Sequence, residues 1–150
     1  YALLQRCLEH TQLLCLICLT RYPKHLAGAE LRRQVLLLLM IKTENDRIHW
    51  TRELADWHER HKEYLGEKTF SPQTGRYWYR HKMLRRSYFT IKRALPNMFH
   101  YLANPSIPNT TNGIEGFFGH LKNHLDIHRG LTLRHRIDFI KWYVYLSNEK

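Results

Sequence analysis

Long apolar runs are absent from this 150-residue chain: none exceeds seven residues, the length of Val35–Ile41. A membrane-spanning helix needs roughly 18 or more, so no span is expected. Cysteine is scarce, and three of them cannot all pair within the chain; a chain of this size has little need of disulfides, so a reducing compartment is expected. No tract repeats or is of low complexity, and the proline-punctuated joints are short. One domain, or part of a larger one, is therefore expected. Hydrophobic residues make up 43%, enough for a core rather than wholesale disorder. The opening residues have neither the basic head nor the small-residue cleavage site of a secretory signal. The expectation is a cytoplasmic protein with no membrane partner. Because Tyr1 opens inside an apolar stretch, an N-terminal part is expected to precede it.

The most informative shortage is of acid. Lys and Arg number 24 against 13 Asp and Glu, a formal charge of +11. Residues 68–114 carry eight of the basic residues and no Asp or Glu at all. The flanking segments are near balance, with 10 basic and 9 acidic residues in 1–67 and 6 and 4 in 115–150. Within the acid-free segment, Arg76, Arg80, Lys82, Arg85, Arg86, Lys92 and Arg93 interleave with Tyr77, Trp78, Tyr79, Tyr88 and Phe89. Such a stretch repels itself until counter-charge arrives. Phosphate is the usual source, and Arg binds it bidentately. A polyanion is the expected partner, in preference to a merely solvated basic face; the aromatics read as core, and His81 fits either role.

Periodicity predicts a mainly α fold. Residues 2–8 suit a buried strand or a helix start. Helices are expected over Leu13–Thr20, ended at Tyr22-Pro23, and over Ala27–Lys42. Thr43 or Asn45 caps a third helix to about Leu65, with Ile48, Leu54, Trp57, His61 and Leu65 near one face. The loop Ser71-Pro72-Gln73-Thr74-Gly75 ends that unit, and a basic helix is expected from about Tyr77 to Ala94. Asn104–Pro108 reads as a stiff connector, followed by helices over about Gly113–Ile127 and Thr132–Ser147.

The stretch after the connector carries the strongest chemical signal. Helical winding places Ile114, Phe117, Phe118, Leu121 and Leu125 on one stripe, with Glu115, Gly119 and Lys122 at its border. A carboxylate there is held by packing yet faces outward. Gly116 and Gly119 each cost about 1 kcal/mol relative to Ala inside a helix, which predicts close approach of another backbone, either DNA or a neighbouring helix. Asn112 and Glu115 also have the spacing of a capping box, with Asn112 as N-cap. That structural role is compatible with a chemical one.

At these residues the chain resembles the transposases of bacterial insertion sequences, in the Mutator-like branch of the DDE superfamily. Three motifs carry the resemblance. Gln5-Arg6-Cys7-Leu8-Glu9-His10 is similar to the Cys-x-x-His motif that follows the second catalytic Asp. Tyr79-Arg80-His81-Lys82-Met83-Leu84-Arg85-Arg86 looks like the basic segment of the helical insertion. Asn109–Gly116, with Leu121-Lys122 and His128-Arg129-Gly130-Leu131, resembles the signature around the third catalytic acid.

The resemblance implies the C-terminal portion of an RNase H-like catalytic domain with a helical insertion, and at most one short strand, near the N-terminus. Residues 1–20 would hold the last strand and following helix, 21–107 the basic insertion, and 108–150 the catalytic-glutamate helix and C-terminal helix. Glu115 inherits the role of third acid and metal ligand, Cys7, His10 and Asn112 that of structural support. Arg76, Arg80, Lys82, Arg85, Arg86, Lys92, Arg93, Lys122 and Arg129 are the expected DNA contacts. The implied partners are transposon ends and further copies of the chain; the implied cofactor is Mg²⁺ or Mn²⁺ in the complete protein. The family's first two catalytic aspartates have no counterpart here, so the fragment alone is expected to be inactive. The four aspartates present, Asp46, Asp56, Asp126 and Asp138, all lie downstream in expected helices or caps.

Two other readings attach to particular residues. Cys7, His10, Cys15 and Cys18 have the types of a tetrahedral zinc set, but Thr11–Leu14 offers no glycine for a knuckle turn, so Cys15 and Cys18 are expected in the core. Trp50 and Trp57 can in principle stack on an unpaired base; seven residues apart on one helix, they are expected in the core instead. Alternatives to the transposase reading are a non-catalytic helical DNA-binding module and a helical protein-interaction domain.

Overall fold

The computed structural model describes residues 4–149. In chain order these form α1 (Leu8–Cys18), α2 (Leu26–Leu37, continued by a 3₁₀ turn Leu38–Met40), α3 (Glu44–Gly66), β1 (Lys68–Ser71), β2 (Arg76–Tyr79), α4 (Lys82–Ala94, continued by a 3₁₀ turn Leu95–Asn97), α5 (His100–Ala103), α6 (Asn112–Ile127) and α7 (Leu133–Asn148). The protein is mainly helical. It divides into two compact units, Tyr1–Thr110 and Thr111–Lys150.

The first unit is built around α3. Thr43 starts that helix by accepting from the Asp46 N–H at 3.1 Å while the Asp46 carboxylate accepts from the Thr43 N–H at 2.9 Å. This reciprocal box satisfies two donors that the helix cannot. Trp50, Leu54, Trp57 and Leu65 then recur at helical spacing and are all buried. Ile48, expected beside them, winds to the opposite face, roughly 200° from Trp50, and is exposed.

Both indoles are core residues, as their spacing predicted. The Trp50 Nε1–H donates to the Gln34 carbonyl at 2.8 Å and the Trp57 Nε1–H to the Ala27 carbonyl at 3.0 Å. The two acceptors are also seven residues apart, so α2 and α3 run antiparallel and are pinned at both ends. α1 lies along α4 and against α2. Cys15 and Ser87 are fully buried, and the Cys15 thiol reaches the Ser87 carbonyl at 3.6 Å. Two small side chains at this contact allow the helices to approach closely. Leu8, Leu31, Val35, Leu38, Ile91 and Met98 complete the core.

One expectation needs correction. The basic helix does not begin at Tyr77. Residues 76–79 form β2, antiparallel to β1, with Phe70 opposite Tyr77 and Thr69 opposite Trp78. The loop at 71–75 is thus a hairpin turn, closed by the Gly75 N–H on the Ser71 carbonyl at 2.9 Å, with Gly75 at φ 65°. Consecutive aromatics favour the pleated backbone over a helix, and the helix waits until Lys82. At the N-terminus, where residues 2–8 suit a strand or a helix start, α1 begins at Leu8. Residues 4–7 form no strand, and residues 2 and 3 lie outside the described residues. The Arg6 N–H donates to the Asn97 carbonyl at 2.7 Å and the Leu8 N–H to the Asn109 carbonyl at 2.9 Å.

The second unit is the pair α6 and α7. Leu121 is buried in the seam, Phe117 and Leu125 are half-buried, and the Phe117 ring lies 5.3 Å from Tyr143. Ile114 and Phe118, on the same expected stripe, are exposed. Thr132 caps α7, accepting from the His135 N–H at 3.3 Å.

Candidate functional site

The acid-free segment folds into the hairpin and α4, and its cations divide by the work they do. Lys82, Arg86 and Arg93 fall at i, i+4 and i+11, on one stripe of α4, and all three are exposed. The opposite face holds Ser87, Tyr88, Ile91 and Ala94 in the core. Arg85 and Lys92, seven residues apart, flank the stripe. Arg85 is half-buried: it donates from Nη1 to the Leu65 carbonyl at 3.0 Å, and its guanidinium sits 3.6 Å over the Tyr79 ring. It is committed to the fold as well as to the surface. Lys92 is exposed; with burial as the larger cause, it helps hold the His58 pKa below the ordinary imidazole value.

Arg76 is exposed on β2. Arg80, between β2 and α4, pairs with Glu67 at 3.3 Å, and His81 meets the same carboxylate at 3.0 Å. The His81 ring also stacks on Tyr64 with centroids 3.7 Å apart. Among the described residues, the cations of this segment that form an ion pair do so with the acid that immediately precedes it, whose carboxylate is shared by two partners. Among the described residues, no ion pair is formed by Arg76, Lys82, Arg86, Lys92 or Arg93. A row of cations held apart by a rigid helix, with no carboxylate to neutralise them, is an electrostatic footprint for phosphate.

The aromatics of this segment separate into two groups. Tyr88 is buried, stacked on His58 with centroids 4.5 Å apart, and Phe89 is half-buried. Tyr77, Trp78 and Tyr79, expected in the core, are exposed on β2. The missed signal was the hairpin itself: a short β-prone run on each side of a Pro-Gln-Thr-Gly turn. Phe70, on the partner strand, was missed with it.

In the second unit, Glu115 lies in the first turn of α6 and its side chain is exposed. The N-cap is Thr111 rather than Asn112, so the expected capping box is displaced: Asn112 is the first helical residue, and the Thr111 hydroxyl donates to the Glu115 carboxylate. A threonine four residues before the acid reaches it across one helical turn, which the i, i+3 pair was expected to do. Among the described residues, Gly116 and Gly119 meet no close backbone, and a Cβ built at either finds no atom within 4 Å. Lys122 is exposed further along α6, and Arg129 follows its C-terminus, where its Nε donates to the Asp126 carbonyl at 3.1 Å.

The first motif sits at the start of α1. Cys7 is the N-cap, and its sulfur accepts from the His10 N–H at 3.5 Å. Through the Leu8 N–H bond to Asn109, this motif lies beside the first residue of the third one. Cys15 is buried on the α4 side of the helix, in the core as expected, whereas Cys18 is half-buried and is not part of the core cluster.

One carboxylate cannot hold the pair of divalent ions that phosphodiester transfer uses. Among the described residues, no three His, Cys, Asp or Glu side chains gather to hold a metal. The described residues do not by themselves make up a metal centre. No helix among the described residues is long and apolar enough to cross a membrane. Comparison of the chain with protein-family models, curated proteins and solved structures found no match.

Proposed function

We propose that this chain is the C-terminal part of a DDE transposase, working with DNA inside the cell. It would bind transposon DNA through the cationic stripe of α4 and supply Glu115 as the third acid to a metal centre completed by carboxylates from outside this chain. The observation that carries the DNA reading is the row Lys82, Arg86 and Arg93, exposed and unneutralised on a helix whose other face is core. The support for Glu115 is its resemblance to the family signature and its position, facing solvent in the first turn of α6 with its carboxylate steadied by Thr111. The Arg76, Arg80, Lys122 and Arg129 side chains would extend the phosphate contacts, and a homo-oligomer would bring two transposon ends together.

The test is to join the chain to the coding sequence upstream of Tyr1 and assay Mg²⁺-dependent cleavage of transposon-end DNA. Cleavage by the joined protein and its loss in Glu115→Gln are expected. Undiminished cleavage by that variant would remove Glu115 from the chemistry. A second reading is a non-catalytic DNA-binding module, which rests on the same cationic stripe of α4. It predicts the same DNA affinity and no cleavage in any assembly.

A further inference from the structure

Three large rings of the hairpin remain substantially exposed. Phe70, Tyr77 and Trp78 are 46%, 69% and 47% exposed. Side chains alternate across a strand, so the register puts Phe70 and Tyr77 on one face and Trp78 on the other. The Phe70 and Tyr77 rings, 4.7 Å apart, support one another across the strands. Trp78 has only Thr69 opposite it, and no ring contact of its own among the described residues. An isolated two-stranded hairpin is marginal in water, and these rings add little to its burial. Folding does not account for them.

Their surroundings are cationic. Lys68 lies opposite Tyr79, Arg76 opposite Ser71, and Arg80 follows the strand directly. The nearest acid in sequence, Glu67, is already engaged by Arg80 and His81. A partner for this surface must bring negative charge and flat, stackable faces together. An unpaired strand of DNA does both: bases stack on aromatic rings while phosphates meet Lys and Arg. Duplex DNA offers the phosphates but keeps its base faces stacked inside.

We propose that the hairpin is a two-faced stacking platform for unpaired DNA bases, with Tyr77 as the stacking ring and Lys68 the phosphate contact on one face, and Trp78 and Arg76 in the same roles on the other. The proposal rests on the DNA-binding reading of α4 and assigns a distinct substrate form to the neighbouring element.

The test uses the full chain and three labelled DNAs of about 12 nucleotides, within the usual span of single-strand sites: an intact single strand, an abasic single strand and a duplex. Fluorescence anisotropy at low salt is expected to show the intact strand bound roughly five- to tenfold more tightly than the abasic one. The double variant Tyr77→Ala, Trp78→Ala should abolish that preference and leave duplex affinity unchanged, while Trp78→Phe should keep most of it. Circular dichroism melts establish that these exposed positions have not altered the fold. Equal affinity for intact and abasic strands, with duplex binding retained, overturns the platform alone. No binding of any DNA overturns the reading of α4 as well. A shift in self-association caused by the double variant, with DNA preference intact, would make the hairpin a contact between copies of the chain and also overturn the proposal.

Discussion

Cys15 shows how completely a side chain's chemistry follows its surroundings. Buried between α1 and α4, its thiol is pushed up to about 11, by burial first, against the lowering effect of its bond to Ser87. A thiol that stays protonated is a small apolar core residue and a poor nucleophile. Cys7 and Cys18 are only half-buried. In the folded protein, a thiol-specific reagent at neutral pH should titrate these two first and reach Cys15 only as the chain unfolds. Three thiols reacting together at the fast rate would mean that the α1–α4 contact opens freely. Glu115 illustrates a different dependence. Its outward placement at the start of a helix was legible from winding, but its partner was not. Thr111 and Asn112 are both good cap formers, and the choice between them turned on the conformation of the preceding connector.

The hairpin is the element that periodicity misjudged. Winding residues 77–94 as one helix gave a continuous basic face and treated Tyr77, Trp78 and Tyr79 as its apolar side. In the structure these three belong to β2, and the helical period begins only with Lys82, where Leu84, Tyr88 and Ile91 reach the core. Gly75 decides the register, because its φ of 65° is a conformation that side-chain-bearing residues rarely adopt. Gly75→Ala should destabilise the hairpin by about 1 kcal/mol. Faster hydrogen exchange at the Thr69 and Trp78 amides, which the backbone Arg80–Glu67 bond and the register place in a hydrogen-bonded pair, with the amides of α3 unaffected, is the expected sign. Unchanged exchange at those amides would show that the turn tolerates the added methyl group. The longest helix needed no such correction, since the Thr43–Asp46 box and the Trp50, Leu54, Trp57 spacing all point to the same boundaries and the same face.

For the molecule as a whole, charge is the property that points furthest toward a partner. The acid-free segment is unbalanced in sequence and remains so in space, because α3 and α2 spend their acids on their own cations: Glu30 on Arg60 and His61, Glu44 on Arg47, Glu59 on Lys62. Glu67 alone among the described acids pairs with cations of the basic segment. Binding to duplex DNA should therefore weaken steeply with salt, since each neutralised phosphate releases condensed counterions. Replacing Lys82, Arg86 and Arg93 together with Ala should reduce the slope of log K against log salt by about three. A slope that does not change would place the phosphate contacts elsewhere. Apolar side chains also remain exposed, Leu13, Leu14 and Ile17 on α1 and Leu133, Trp142 and Leu146 on α7. The two-helix unit is therefore not buried by its own seam.

Some local order was written into the chain: the starts of α3 and α7 by Thr43 and Thr132, the core face of α3 by the recurrence of Leu and Trp at helical intervals, and the basic segment by the simple want of carboxylates. These depend on neighbours within a turn or two, and the backbone reads them directly. Which aromatics are buried, which arginine is consumed by the fold and which glycines have an open flank depend on groups far along the chain. Arg85 meets the Leu65 carbonyl and Tyr79, Trp57 meets Ala27, and Trp78 meets nothing comparable. Burial is a property of what packs against a residue, and one-dimensional spacing does not contain that partner; only the tertiary arrangement supplied it.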